Sequence, residues 1–465
     1  MEGSGSRGAA RATDPRISCL SRFCKGDVCG FRGLVQIVRF IRLALGYAAN
    51  PLAAFIAGPI LARVLGPEAR GELAAATSAV ILVTVIFATG LPDSLALTSA
   101  KQGTRLTSFL ARHRWRIAMA SALASGAALL LGATLFGDQP SASSVMVAGA
   151  LALPLLITIE IARGYSVGTG TFARIQAESY VSNFGRLACI AVLAAAGALT
   201  ALSAGIVTLV LMLLGGCFLF LRRGRFTLPT RDLVTHSGHG ARPEAKDERR
   251  VALRYWAGTV ATQANARLSQ VLILPLSGAA QVGYFAVALS LMQVLSLMAY
   301  SLRVFLFRNA ARDATGALVA RATRLMLPSV ILAVGVMELV AEPAIHLLFG
   351  PSFNEAIPIL RFLLVAVVPM IAAGILGAGL SGAGKQGTFA LGEWVAFGVG
   401  TLCLVLLAPA HGGVGAALAV LATYITSCGW SLIALSRATG TPLRAFFWVR
   451  RSDIQWLMHQ LKRRN

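Results

Sequence analysis

The chain has 465 residues, of which 56% are hydrophobic and 13% charged, whereas a soluble domain carries nearer 25% charged residues. That composition excludes an ordinary soluble domain. The net charge of +23 is no sign of nucleic-acid binding, because the Lys and Arg sit in tails and alternate loops, as basic rims against anionic headgroups do.

A lipid-spanning helix needs about 20 mostly apolar residues to cross a hydrocarbon core roughly 30 Å thick. A basic tail, 1–42, comes first; it holds no apolar run in its first thirty residues, so no cleaved signal peptide is expected. About twelve stretches then meet the length criterion: 43–65, 72–98, 117–136, 144–164, 176–198, 201–221, 251–276, 282–307, 325–349, 357–382, 388–409 and 413–436. Segment 222–250, with Pro229, Pro243 and clustered Gly and Ser, reads as a linker between bundles 43–221 and 251–436. The basic end, 437–465, includes an amphipathic pattern (Phe446, Phe447, Ile454, Leu457, Met458, Leu461, with Trp448 and Trp456), which fits a helix lying in the membrane interface.

The loops alternate in charge. One set carries Lys101, Arg105, Arg112, Arg114 and Arg116, then Arg163 and Arg174, then Arg222 to Arg250, then Arg308 to Arg324, then Lys385. The other set carries Asp138, Glu342, Glu355 and His411, with Arg70 near the first loop. Short cytoplasmic loops collect Lys and Arg, so both termini are expected in the cytoplasm. Seven cysteines make no disulfide framework. Cys19, Cys24 and Cys29 lack a fourth ligand, and His236 and His239 sit in the linker, so no metal site is expected. No cofactor is expected either.

The second half echoes the first at an offset of roughly 212 to 216 residues. Gly66 and Gly71 recur as Gly278 and Gly283, Leu135-Phe136-Gly137 as Leu348-Phe349-Gly350, Pro154 as Pro369, and Gly168 as Gly384. Glycine suits such turns because it accepts positive φ. Six helices repeated in the same orientation make a parallel repeat, whose substrate site lies between the halves near mid-depth. The predicted fold is therefore an all-α polytopic membrane protein of two six-helix bundles.

Three segments carry a resemblance. Ile60-Leu61-Ala62-Arg63-Val64-Leu65-Gly66-Pro67-Glu68 with Gly71-Glu72-Leu73-Ala74 is one. The second is Arg267-Leu268-Ser269-Gln270-Val271-Leu272-Ile273, Gly278 and Gly283-Tyr284-Phe285-Ala286-Val287-Ala288. The third is Leu347-Leu348-Phe349-Gly350 with Gly412-Gly413-Val414-Gly415-Ala416-Ala417. Together the sequence resembles bacterial polysaccharide flippases of the multidrug/oligosaccharidyl-lipid/polysaccharide exporter superfamily. It departs at Ser269, where such proteins often carry an acidic residue. The resemblance implies a V-shaped exporter in the bacterial plasma membrane. It would move lipid-linked sugars from the inner to the outer leaflet, alongside membrane lipids and glycosyltransferases or a polymerase of the same pathway. Twelve helices rather than fourteen imply a surface-polysaccharide intermediate rather than the peptidoglycan precursor.

An ionisable residue inside a span costs about 2.5–3.5 kcal/mol on insertion scales, so it faces a cavity or a partner. Arg186 and Arg267 fall near mid-depth. Arg267 stands about nine residues, near 14 Å, from the end of its span. The diphosphate of a lipid-linked sugar matches the guanidinium fork. Gln263 and Asn265 precede Arg267 and suit sugar hydroxyls. Arg303, Arg361 and Arg63 lie nearer helix ends, where a side chain can snorkel to headgroups or line the same cavity. Among Asp93, Glu160, Glu178, Glu338 and Glu393, Glu338 is nearest mid-depth; it either couples transport to a cation or pairs with an arginine. A cation-coupled drug or metabolite antiporter of the same superfamily is the alternative, requiring a membrane carboxylate in the first half. A membrane enzyme is not expected, since no loop of the acidic set exceeds about ten residues by the span lengths, and no Gly-x-x-x-x-Gly-Lys-Ser/Thr motif for ATP is present.

Overall fold

The computed structural model describes residues 28–220, 245–310 and 316–446, with side chains over 51–100, 102–220, 252–296 and 316–446. The chain divides into two compact units, Met1–Gly46 and Tyr47–Asn465; contacts described below lie in the second. Cys19, Cys24, Cys29, His236, His239, the side chain of Arg303 and the tail beyond Phe446 lie outside the described residues.

Every regular element among the described residues is helical. Among the described residues eight helices are long and apolar enough to cross a membrane, and two of them are doubled. Val28–Phe87 breaks at Gly66 (φ 73, ψ 178) into α1 (28–65) and α2 (67–87). Likewise the helix Gln386–Thr439 breaks at Gly412 (φ 56, ψ −132) into α11 (386–411) and α12 (413–439). The others are α3 (Arg114–Leu135), α4 (Pro140–Gly168), α6 (Ala201–Phe220), α8 (Ala279–Ala310), α9 (Ala317–Leu348) and α10 (Ala356–Gly382).

Two further spans complete the twelve. Helix α5 (172–195) has a π-helical turn, Val181–Gly185, between two α-helical segments. Helix α7 (Ala245–Ser277) is less apolar than the others because Arg254, Gln263, Asn265, Arg267 and Gln270 interrupt it. The expected second span, 72–98, is shorter than predicted. Thr89 (φ 48) and Gly90 (φ 72) leave the helical region, and a separate helix, Leu91–Gln102, follows.

The repeat is legible in backbone angles. Positive-φ glycines pair as Gly66 with Gly278, Gly103 with Gly316, Gly170 with Gly384 and Gly197 with Gly412. Each pair is 212–215 residues apart and lies between helices of equal rank in its half. Gly170, rather than Gly168, is the counterpart of Gly384. Gly168 instead lies inside α4, where a Cβ would strike the backbone of Ala96 and the hydroxyl of Ser99.

Packing follows the repeat. Helix α4 packs on α3, α6 and the Leu91–Gln102 helix, and α5 packs on α6. In the second half α10 packs on α8, α9 and the 386–439 helix pair, which also carries α7. The core is built of small and branched apolar side chains, with Phe285, Phe349, Phe353, Leu153 and Ile157 among those fully enclosed. The exposed side chains include many large apolar ones, among them Leu332, Leu339 and Leu347 on α9 and Met119, Leu123 and Leu130 on α3. That is the surface a helix presents to lipid, which is as apolar as leucine itself.

The halves meet through a reciprocal contact. A Cβ at Gly71 would collide with the carbonyl of Ala279, and one at Gly283 with the carbonyl of Pro67. In the repeat, 71 corresponds to 283 and 67 to 279, so each residue meets the counterpart of its own neighbour. That is how two similar surfaces meet about a two-fold axis. On the same face of the molecule Arg63 donates from Nε to the carbonyl of Leu348 at 3.0 Å, and from Nη2 to that of Leu347. These are terminal carbonyls of α9, so the cation also meets the negative end of a helix. Arg63 is therefore a strap between halves.

Candidate functional site

Four groups of interior polar side chains bear on a site, and the distances separate structural from available ones. The first lies in the amino-terminal half. Arg163 on α4 donates to Glu160 and, at 2.8 Å, to Glu178 on α5. Arg163 was expected as a loop cation; it stands inside α4 as the hub of this triad. A buried carboxylate such as Glu178 needs that partner, because a lone charge in an apolar medium is costly. Asp93 lies within electrostatic reach of Glu160 and sits in the first turn of its helix, where the helix dipole favours an anion.

The second group centres on Glu393 of α11, which is buried. Its Oε2 accepts from Asn265 Nδ2 at 3.0 Å and its Oε1 from Ser427 Oγ of α12 at 2.6 Å. Asn265 Nδ2 also reaches the Glu393 carbonyl at 3.2 Å. The amide expected to meet sugar hydroxyls thus ties α7 to α11. Sequence depth singled out Glu338, yet Glu393 is the enclosed carboxylate of this half. Glu338 lies on lipid-facing α9, within electrostatic reach of Arg361. Arg361 also pairs with Glu342 at 3.8 Å, both well exposed, an arrangement worth little energy.

The third group joins the halves along α7. Ser78 of α2 donates to Gln270 Oε1, both buried, and Trp256 Nε1 donates to the Val85 carbonyl at 3.3 Å. Helix α7 thus meets α2 near both ends. Gln263 and Arg267 stand half-buried on this helix, between those contacts.

The fourth group contains Arg186, which was expected as a site residue, and Arg70, which was not. Arg186, at the exit of the π-turn, and Arg70, in the first turns of α2, are both half-buried. The Nε of each is fully enclosed without a hydrogen-bond partner among the described residues, and the two are within Coulombic reach of each other. Sequence reasoning placed Arg70 beside a loop, since it is only four residues past Gly66. The π-turn was invisible because residues 181–185 look like any helical run. No group of His, Cys, Asp and Glu suited to a metal ion occurs among the described residues.

A family model described as "Polysaccharide biosynthesis protein" matches residues 39–307. Among curated proteins none matches by sequence. Among solved structures, the lipid II flippase MurJ in an inward closed conformation shares a TM-score of 0.68 at 13% identity, over 87% of this chain and 89% of that one. An inward-facing multidrug-resistance transporter of the MATE family, in the MOP superfamily, shares 0.58 at 15% identity, over 86% and 99%. A eukaryotic MATE transporter shares 0.58 at 14% identity, over 88% and 99%. At these identities the likeness is one of fold: a multi-pass helical membrane architecture.

Proposed function

The chain belongs to that polysaccharide biosynthesis family, and we propose that it flips a lipid-linked oligosaccharide, joined to its carrier through a diphosphate, from the inner to the outer leaflet of a bacterial plasma membrane. The reading is of a transporter rather than a catalyst, with bundles 43–221 and 251–436 as its two moving halves and both termini cytoplasmic. The observation that carries it is chemical: within a family devoted to polysaccharide synthesis, the polar helices α5 and α7 carry Arg186 and Arg267 well inside the apolar span. A guanidinium at that depth lines a cavity or meets a partner, and a diphosphate suits its planar fork. Arg267 is the principal phosphate ligand in this reading, with Gln263 beside it for hydroxyls. Arg361 and Arg303 fall towards helix ends in the sequence and are secondary candidates in this reading.

The antiporter reading needs a free carboxylate in the first half. Glu160 and Glu178 are both tied to Arg163, so that role would fall to Asp93 or Glu72. Substitution tests the flippase reading. Arg267→Ala should abolish export of the surface polymer while the protein remains in the membrane. Arg267→Lys keeps the charge, loses the fork and should retain part of the activity. Export at the wild-type rate by Arg267→Ala refutes the assignment. Labelling of a cysteine at position 235 from outside intact cells, with none at 141, refutes the orientation.

A further inference from the structure

We propose that Arg70 and Arg186 together form a two-guanidinium site for the phosphate-ester anion of a membrane lipid, within the amino-terminal half and on helices other than α7. As the seat of the carrier's diphosphate the site rests on the flippase reading; as a lipid-phosphate site it stands without it.

Packing brings the two side chains to one place. Ala69 and Leu73 of α2 share an apolar cluster with Leu187 and Ile190 of α5. Residues three and four apart lie on one face of a helix. Arg70 is three residues before Leu73, and Arg186 four before Ile190, so each arginine leaves its helix on the side by which α2 and α5 meet. The π-turn Val181–Gly185 ends immediately before Arg186 and resets the rotation from which that side chain departs; such turns recur at functional sites. In depth, Arg70 lies about 6 Å along α2 from the Gly66 break and Arg186 about 14 Å from the end of α5, at 1.5 Å per residue. The long side chains can close that difference by reaching along the helix. The guanidiniums then sit in one leaflet, on the Gly66 side of the membrane.

Nothing protein-borne neutralises them among the described residues. Each Nε is enclosed and lacks a hydrogen-bond partner. Glu72 is two positions from Arg70, and residues so spaced do not share a helix face; its enclosed Oε2 has no partner either. Two like charges in a poorly solvated place repel each other. A diphosphate offers each guanidinium a bidentate partner, and a single phosphodiester can bridge the two with one oxygen to each. Phosphate at this depth is carried by lipid, either as the diphosphate of a sugar carrier or as a phospholipid headgroup.

The test uses the full-length protein in phosphatidylcholine nanodiscs, with tritiated farnesyl diphosphate, farnesol and phosphatidylglycerol as probes. Arg70→Gln and Arg186→Gln should each weaken the binding of an anionic probe about tenfold or more. The double variant should lose little beyond either single one, since the pair acts as a unit, and farnesol binding should stay unchanged. Loss confined to farnesyl diphosphate identifies the carrier's diphosphate as occupant; loss confined to phosphatidylglycerol identifies a phospholipid; either supports the site. Without ligand, Arg186→Gln should melt at or above the wild-type temperature, because it relieves repulsion. If a glutamine variant does not fold, Arg70→Lys/Arg186→Lys keeps the charge and should bind in between. Wild-type affinities in every variant overturn the pair alone. Wild-type protein that binds neither anion overturns both the pair and the flippase reading.

Discussion

Replacing Gly71 and Gly283 by alanine, singly and together, probes the contact about which the two halves are related. In each case the new methyl meets a backbone carbonyl, Ala279 for position 71 and Pro67 for position 283. A backbone atom cannot swing aside as a side chain does, so α2 and α8 must separate. Overpacking of that kind costs about 1–3 kcal/mol, which corresponds to a shift of roughly five- to 150-fold in favour of states where the contact is broken. Two consequences follow from the reciprocity. The single variants should cost nearly the same, because each carbonyl belongs to the counterpart of the other. The double variant should cost less than the sum, because helices already parted by one methyl accommodate the second. Thermal unfolding in detergent reads the cost, and thiol labelling at Ser290→Cys, beside Gly58, reads the parting of the halves. A large effect of Gly71→Ala with none from Gly283→Ala, or strict additivity, refutes the symmetric contact.

Arg163→Ala should leave Glu160 and Glu178 without their shared cation and destabilise by about 3–5 kcal/mol, seen as a sharp loss of folded protein on size-exclusion chromatography; Arg163→Lys should recover part of it. Asn265→Asp sets a second carboxylate against Glu393 and should likewise prevent accumulation in the membrane, whereas Asn265→Ala removes one donor and should cost about 1–3 kcal/mol. Wild-type melting of Asn265→Ala would show that the Glu393 bond is dispensable. Arg361→Ala should change stability by less than about 1 kcal/mol, as befits an exposed pair.

Much of the fold was legible in the residues because its determinants are local. The bilayer demands apolar runs of a given length, so the twelve spans stand out even where α7 is diluted by Gln263, Asn265 and Arg267. Turns between helices demand positive φ, so the repeat shows in its glycines. Chain spacing alone matched Gly168 with Gly384, and only the backbone angles showed Gly170 to be the counterpart.

The polar interior was less legible, because a partner is fixed by packing between helices distant in sequence. Depth along a span picked out Glu338, yet depth does not say which way a helix face turns. It turns Glu338 towards the edge and encloses Glu393 against Asn265 and Ser427. Nor can charge counting tell a loop cation from the hub of an ion triad such as Arg163. The sequence by itself determined the spanning architecture, its internal repeat and the polysaccharide-exporter resemblance, all of which follow from length, periodicity and turn chemistry. Tertiary structure alone decided which charges neutralise one another and which, like Arg70 and Arg186, stand together without a counter-ion. Burial and Coulomb energy depend on distances across helices, which no spacing along the chain records.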